Sequence, residues 1–235
     1  MKDQSYVRYT LKQDQLAKLA LPIGDYSKDE IREVARELGL SIADKPDSQD
    51  ICFIPDGDYN RFIEPRLKRK SPGDIVDAEG NVIGEHDGIH GFTIGQRKRI
   101  PAVNNTKRPL YVTEINADSG RITVGHAENL MKSRLYASGV NWISGSPPSE
   151  PLKVEARIRY NGGNTPATVR AIGDAAEIEF DQPVRAITPG QAVVFYADSV
   201  VIGGGLIETS LPDPSPPTPS SGDTAELLET PAIKV

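Results

Sequence analysis

The sequence predicts an α+β chain of several domains: a short helical N-terminal segment, a small β-rich central domain, a C-terminal β-barrel and a disordered tail. Three observations carry this reading. Helical periodicity with both end signals occurs only before residue 66. From there the apolar residues fall in short runs between turn signals, and the last stretch is rich in Pro and Ser with few large apolar groups. The expected boundaries are 1–65, 66–135, 136–209 and 210–235.

Each element has a local cause. After Thr10, Leu11, Leu16 and Leu19 mark a first helical segment, and Pro22 stops it. The next helix is better specified. Ser27 with Glu30 three residues on forms a capping box, Ile31, Val34, Ala35 and Leu38 recur at helical spacing, and Gly39 supplies the left-handed stop. Ile51 to Ile54 reads as a short buried strand closed by Pro55 and Gly57. DIVDAEGNVIGEH predicts a hairpin turning at Glu79-Gly80-Asn81, and PLYVTEINADSGRITVG a second through Asp118-Ser119-Gly120. In LKVEARIRY, residues 152–160, Leu152, Val154, Ala156, Ile158 and Tyr160 alternate onto one face. TVRAI, AEIEF, AVVFY and VVIGGGLIE continue the series, which suits a small barrel better than βαβ units. Gly203-Gly204-Gly205 reads as a bulge or tight barrel corner. The stretch from about Ser210 cannot bury enough surface to offset its ordering entropy, so disorder is expected.

Composition narrows the function classes. Of 235 residues, 37% are hydrophobic and 26% charged, ordinary for a soluble protein. No apolar run approaches the roughly 18 residues that span a bilayer, and the start, MKDQSYVRYT, lacks a secretory apolar core. The expectation is a cytoplasmic protein without a membrane partner. A single cysteine forms no internal disulfide, which fits a reducing compartment. The formal charge of −6 speaks against nucleic acid, but its distribution does not. From Arg66 to Arg108 nine basic residues face five acidic ones, a local balance of +4, whereas residues 210–235 carry −3. A solvated basic face and a phosphate-binding segment both remain open on charge alone.

Cys52 sits in KPDSQDICFIP, an apolar run behind a polar one. By composition it is either a small core residue beside Ile51, Phe53 and Ile54 or a reactive thiol. His86, His90 and His126 are scattered and, with one cysteine, give no zinc spacing, so no bound metal is expected. There is no G-x-x-x-x-G-K-[ST] loop and no nucleophile elbow.

Four strings in order, KDQSY, KPDSQDICFIP, GEHDGIHGFTIGQRK and TPGQAVVFY with the later GGGLIE, resemble the tRNA-specific 2-thiouridylases. The resemblance covers residues 2 to about 210. It implies sulfur transfer to C2 of the wobble uridine of glutamate, glutamine and lysine tRNAs, with ATP and Mg2+ activating the base and a sulfur-relay donor protein as partner. Cys52 matches the cysteine that receives the sulfur, and the terminal sulfur of a persulfide is a better nucleophile at neutral pH than an ordinary thiol. Lys2, Asp3 and Gln4 match a tRNA-contacting triplet, Arg159 and Tyr160 an R-Y pair, and Gln191 a further contact. Arg can fork onto phosphate, Tyr can stack on a splayed base and Gln can donate and accept. Tyr160 also reads as a barrel-core aromatic. Arg97 and Lys98 suit phosphate, with an internal salt bridge as the other reading.

The family's ATP loop, S-G-G-V-D-S, its acidic base and its first cysteine are expected upstream of KDQSY, so the chain resembles the back part of the enzyme. Where the family reads G-Q-R-K-G-L-G, this chain has Arg99, Ile100 and Pro101 after Lys98, losing glycines that tolerate positive φ. Three functions follow as expectations: the sulfurtransferase, a non-catalytic tRNA-binding remnant, and a scaffold unrelated to RNA in which Cys52 is buried.

Overall fold

The structure is a computed structural model that describes residues 4–45, 53–54, 57–67, 71–101 and 108–208. They divide into two compact units, one from Leu21–Leu130 and one that joins Lys2–Ala20 to the chain from Met131 onward. Short helices, a four-stranded sheet and a closed six-stranded barrel make the α+β multidomain class expected. Residues 4–20, expected with the segment that follows them, instead pack on the barrel.

The helices differ in how well local sequence foretells them. α1 (Ser5–Arg8) and α2 (Gln13–Leu16) are single turns, so the segment expected across Leu11, Leu16 and Leu19 shrinks to four residues. α3 (Lys28–Glu37) forms as expected: Ser27 Oγ accepts from the Glu30 N–H at 3.3 Å, Glu30 Oε2 accepts from the Ser27 N–H at 2.6 Å, and Gly39 closes the helix at φ 65°. These two bonds, the backbone one first, hold the Glu30 carboxyl below its usual range. Yet α3 buries nothing: Val34 is 40% and Leu38 69% exposed. Amphipathic periodicity specifies the helix, not its cover. Of the strand expected at 51–54, residues 51 and 52 lie outside the described residues, and Phe53 sits in a turn, 62% exposed. α4 (Tyr59–Ile63) follows, with Arg66 over the Phe62 ring at 3.9 Å.

The expected hairpins form one sheet. β1 (Gly73–Val76) pairs with β2 (Val82–His86), and Asp77 accepts from the Glu79 and Asn81 N–H groups to set the turn. β3 (Tyr111–Ile115) pairs with β4 (Ile122–Gly125), and a parallel β1–β4 contact joins the two hairpins, with Ile75 beside Ile122. Ile75, Val112, Ile122 and Val124 are its buried core.

β5 (Met131–Trp142) opens the barrel, so residues 131–135, expected in the central domain, are its first residues. β6 (Leu152–Arg157), β7 (Thr165–Ile172), β8 (Ala175–Arg185), β9 (Ala192–Ala197) and β10 (Val200–Glu208) complete it, in the closed order β10-β5-β8-β7-β6-β9. Closure removes open strand edges. Inward residues such as Phe195, Ile178 and Val169 are fully buried. The glycine run in β10 carries register shifts at Val201/Gly203 and Gly204/Leu206, the bulges its composition predicts. β6 stops at Arg157. Ile158 still packs on the barrel interior, but Tyr160 joins a separate cluster with Tyr6, Tyr9 and Tyr196. The expected tail, 210–235, lies outside the described residues.

Candidate nucleic-acid interface

Three distant pieces of chain converge on the barrel unit. The first is the turn after β6, braced by Arg157 Nε donating to Asn164 Oδ1 at 2.8 Å and Asn164 Nδ2 donating to Glu155 at 3.0 Å. It presents Arg159 and Tyr160. The second is the connection from β8 to β9, where Ala186 adopts φ 57° and Thr188 Oγ1 donates back to its carbonyl at 3.0 Å. The Gly190 N–H donates to Ile207 O and the Ile207 N–H to Gln191 O, both at 2.8 Å, which fixes the Thr188-Pro189-Gly190-Gln191 turn to β10.

The third piece is the N-terminal segment. Gln4 Nε2 donates to the Tyr160 hydroxyl at 3.2 Å, Ser5 Oγ and the Tyr196 hydroxyl share a bond of 3.0 Å, and the Tyr6 hydroxyl donates to Ala192 O at 2.6 Å. The Tyr6 and Tyr160 rings meet edge to face, 6.0 Å apart. Asn141 Nδ2 donates to Tyr9 O at 2.6 Å and Leu11 O at 3.0 Å, so β5 clamps the end of α1. Gln4, Arg159, Tyr160 and Gln191, far apart in sequence, thus occupy one neighbourhood. Lys2 and Asp3, next to Gln4, lie outside the described residues.

The four side chains differ in availability. Gln4 is exposed, and Tyr160 and Gln191 are half-buried. Tyr160 lies outside the barrel interior, so the barrel-core alternative gives way to a half-open ring on the tyrosine cluster. Arg159 is turned partly inward: Nη2 donates to Ala186 O at 2.8 Å and Thr188 Oγ1 at 3.2 Å, and Nε is buried without a partner. Its Nη1 makes no hydrogen bond among the described residues. Sequence reading missed Asn141 and Tyr6, the residues that hold the N-terminal segment; only the Tyr6, Tyr9 spacing in SYVRY signalled a packed face.

Burial, aided by neighbouring Tyr9 and Tyr196, pushes the Tyr6 hydroxyl up to about 12. A tyrosine in the unfolded chain ionises near 10. The folded state therefore holds this proton more tightly, so stability is intact below pH 10 and falls as the pH rises from 10 towards 12. Denaturant midpoints measured from pH 8 to 11.5 should be level and then drop, and Tyr6→Phe should flatten the drop while lowering stability at pH 8 through loss of the Ala192 bond.

On the sheet unit, Arg97 and Lys98 are exposed and make no ion pair among the described residues. Cys52 lies outside the described residues. His86 Nε2 contacts Gly120 O at 2.8 Å and His90 lies 3.8 Å from Glu64; no group of three metal-ligating side chains occurs among the described residues. Those residues also fit no nucleotide phosphate. α3, the only described helix of more than five residues, has its first turn capped by Ser27 and carries Asp29 and Glu30, which repel anions. No helix among the described residues is long and apolar enough to cross a membrane.

Three family models match successive parts of the chain, and the first of them spans both residues 4–20, which pack on the barrel, and the segment that follows them. A model described as the tRNA methyl transferase HUP domain matches residues 1–56, one described as the tRNA methyl transferase PRC-barrel domain matches 60–126, and an aminomethyltransferase beta-barrel domain matches 132–207. The chain is 46% identical over 212 residues to the tRNA-specific 2-thiouridylase MnmA of Clostridioides difficile, covering 89% of this chain and 58% of that protein. It is 43% identical over 208 residues to the MnmA of Lachnoclostridium phytofermentans, covering 88% and 58%. The MnmA of Heliobacterium modesticaldum is 45% identical over 214 residues, covering 89% and 55%. The chain spans less than three fifths of the length of these relatives. With three family domains matched in order and such identity along most of its length, the chain belongs to the tRNA-specific 2-thiouridylase (MnmA/TrmU) family.

Proposed function

We propose that this chain carries the tRNA-docking and sulfur-accepting parts of a tRNA-uridine 2-sulfurtransferase. The observation that supports it most is the convergence of Gln4, Arg159, Tyr160 and Gln191 at one end of the barrel. An exposed amide, a half-open aromatic ring and a guanidinium edge suit a single-stranded RNA loop, whose bases can be stacked and read on their edges. Cys52 is the residue that would take a sulfur from the donor protein and present it to C2 of the wobble uridine in glutamate, glutamine and lysine tRNAs. The activation of C2 that the family draws from ATP and Mg2+ finds no residues among those described, so no step through it is derived. The uncovered apolar stripe of Val34 and Leu38, with Ile23 and Ile42 also exposed, suits a surface against which the rest of a HUP-type domain packs. A cytoplasmic setting follows from tRNA as substrate.

The second reading is a tRNA-binding remnant without catalysis, favoured by the contact set of Gln4, Arg159, Tyr160 and Gln191, whose side chains suit binding rather than group transfer. One experiment separates the readings. Titrate tRNA into the chain at about 50 and 200 mM salt; phosphate contacts predict an affinity falling by at least tenfold between them. Then incubate the chain with a persulfide donor, and with ATP and tRNA, reading the Cys52 mass, AMP release and 2-thiouridine. A one-sulfur increment on Cys52 without AMP release is the expected result. No binding at low salt would remove the RNA reading, and a Cys52 that reacts only after unfolding would leave the remnant. Turnover by the chain alone would exclude the remnant.

A further inference from the structure

The stretch from Gly95 to Pro101 is a loop pinned at both ends. The Gly95 N–H donates to Val112 O at 2.8 Å and the Val112 N–H to Gln96 O at 2.9 Å. Gln96 Nε2 bridges Gly91 O at 3.2 Å and Lys98 O at 2.9 Å. Ile94 and Ile100 pack against the sheet core, and Pro101 lies so close to Gly84 that any side chain there would meet its ring. Between these anchors the chain must reverse within three residues, Arg97, Lys98 and Arg99, all exposed.

The reversal falls on Arg99, at φ 68°. A residue with a Cβ is disfavoured in this left-handed region, and glycine is not. Among the described residues nothing repays the arginine: its side chain makes no hydrogen bond or ion pair there, and packing is supplied by Ile100 and Pro101. Strain of this kind, held where the surroundings over-determine the backbone, points outward to a ligand. Two cations with no ion pair among the described residues stand directly before it, within a segment whose local balance is +4.

We infer that Arg99 is a phosphate-binding residue which, with Arg97 and Lys98, makes this pinned loop a three-cation contact for the phosphodiester backbone of RNA. The inference rests on the RNA-binding reading above. A rigid loop loses little entropy on binding, and each neutralised phosphate releases counterions, so the contact is independent of base sequence and sensitive to salt.

Arg99→Gly gives a test in which stability and binding move in opposite directions. In the full chain, R99G should raise the melting midpoint of the sheet unit by about 2 °C or more, because glycine relaxes the backbone. It should weaken tRNA binding roughly three- to tenfold at low salt and reduce the slope of log affinity against log salt by about 0.7 to 0.9. R97A and K98A should weaken binding without raising the midpoint. Inorganic phosphate at millimolar concentration should compete little; strong competition would mean a free-anion site and overturn the proposal. If R97A and K98A weaken binding while R99G binds like the parent, Arg99 is not a contact and the RNA reading stands. Should all three bind like the parent, the loop takes no part in RNA binding. A lowered midpoint for R99G would make Arg99 a folding residue and also overturn the proposal.

Discussion

Gly204→Ala is expected to lower the stability of the barrel unit by about 2–3 kcal/mol and to release the N-terminal segment from it. A Cβ at this position would stand 2.6 Å from Val193 O and 2.8 Å from the Tyr9 ring. The first is backbone of the paired strand β9 and can move only with the ladder. The second is the ring that seats residues 4–20 on the barrel, in one cluster with Tyr6, Val194, Tyr196 and Val201. Displacing it also strains the Asn141 bonds to Tyr9 O and Leu11 O, and with them the approach of Gln4 to Tyr160. The variant should therefore lose denaturant stability and show faster amide exchange in residues 5–16. Gly163→Ala, where nothing lies within 4 Å of a new Cβ, should stay within about 0.5 kcal/mol of the parent. Unchanged stability of Gly204→Ala would mean that β10 and Tyr9 are not packed as described.

Arg159→Ala should cost about 2 kcal/mol of barrel stability and weaken tRNA binding by tenfold or more. Its Nη2 bonds to Ala186 O and Thr188 Oγ1 tie the β6–β7 turn to the turn that carries Gln191. Truncation leaves a buried carbonyl with one donor fewer and frees Ala186 from the conformation, φ 57°, that the guanidinium helps hold. On the RNA reading it also removes a cation whose Nη1 is open to a phosphate. Arg159→Lys should restore little, because a point charge cannot serve the inner pair and an outer phosphate together. Lys234→Ala, in the C-terminal stretch, should bind as the parent does. The two measurements divide the roles: a loss of stability with unchanged affinity would make Arg159 a purely internal brace, and full retention of both would remove it from the site.

What this sequence determined by itself is the set of elements whose causes lie within a few residues. The Ser27–Glu30 box and Gly39 specify α3, Asp77 and Gly80 the first hairpin turn, and alternation the strands from Leu152 onward, because capping, turn chemistry and side-chain period are local. The resemblance named Lys2, Asp3, Gln4, Arg97, Lys98, Arg159, Tyr160 and Gln191 as expected tRNA contacts, and of these the fold brings Gln4, Arg159, Tyr160 and Gln191 together. β5 escaped notice because its buried residues, Leu135, Ala137 and Trp142, change parity across Gly139, whose φ of 56° breaks the alternation, and because its first four residues are exposed. Only the tertiary structure decided that residues 4–20 belong with the barrel, that β1 and β4 run parallel, that Arg159 turns one nitrogen inward, and that Arg99 keeps a conformation suited to glycine. Each depends on partners tens to nearly two hundred residues away, such as Ser5 with Tyr196, whose meeting is fixed by closure of the barrel and packing of its surface. α3 shows the same limit in reverse: its stripe of Val34 and Leu38 is written in the local sequence, yet both side chains stay exposed among the described residues.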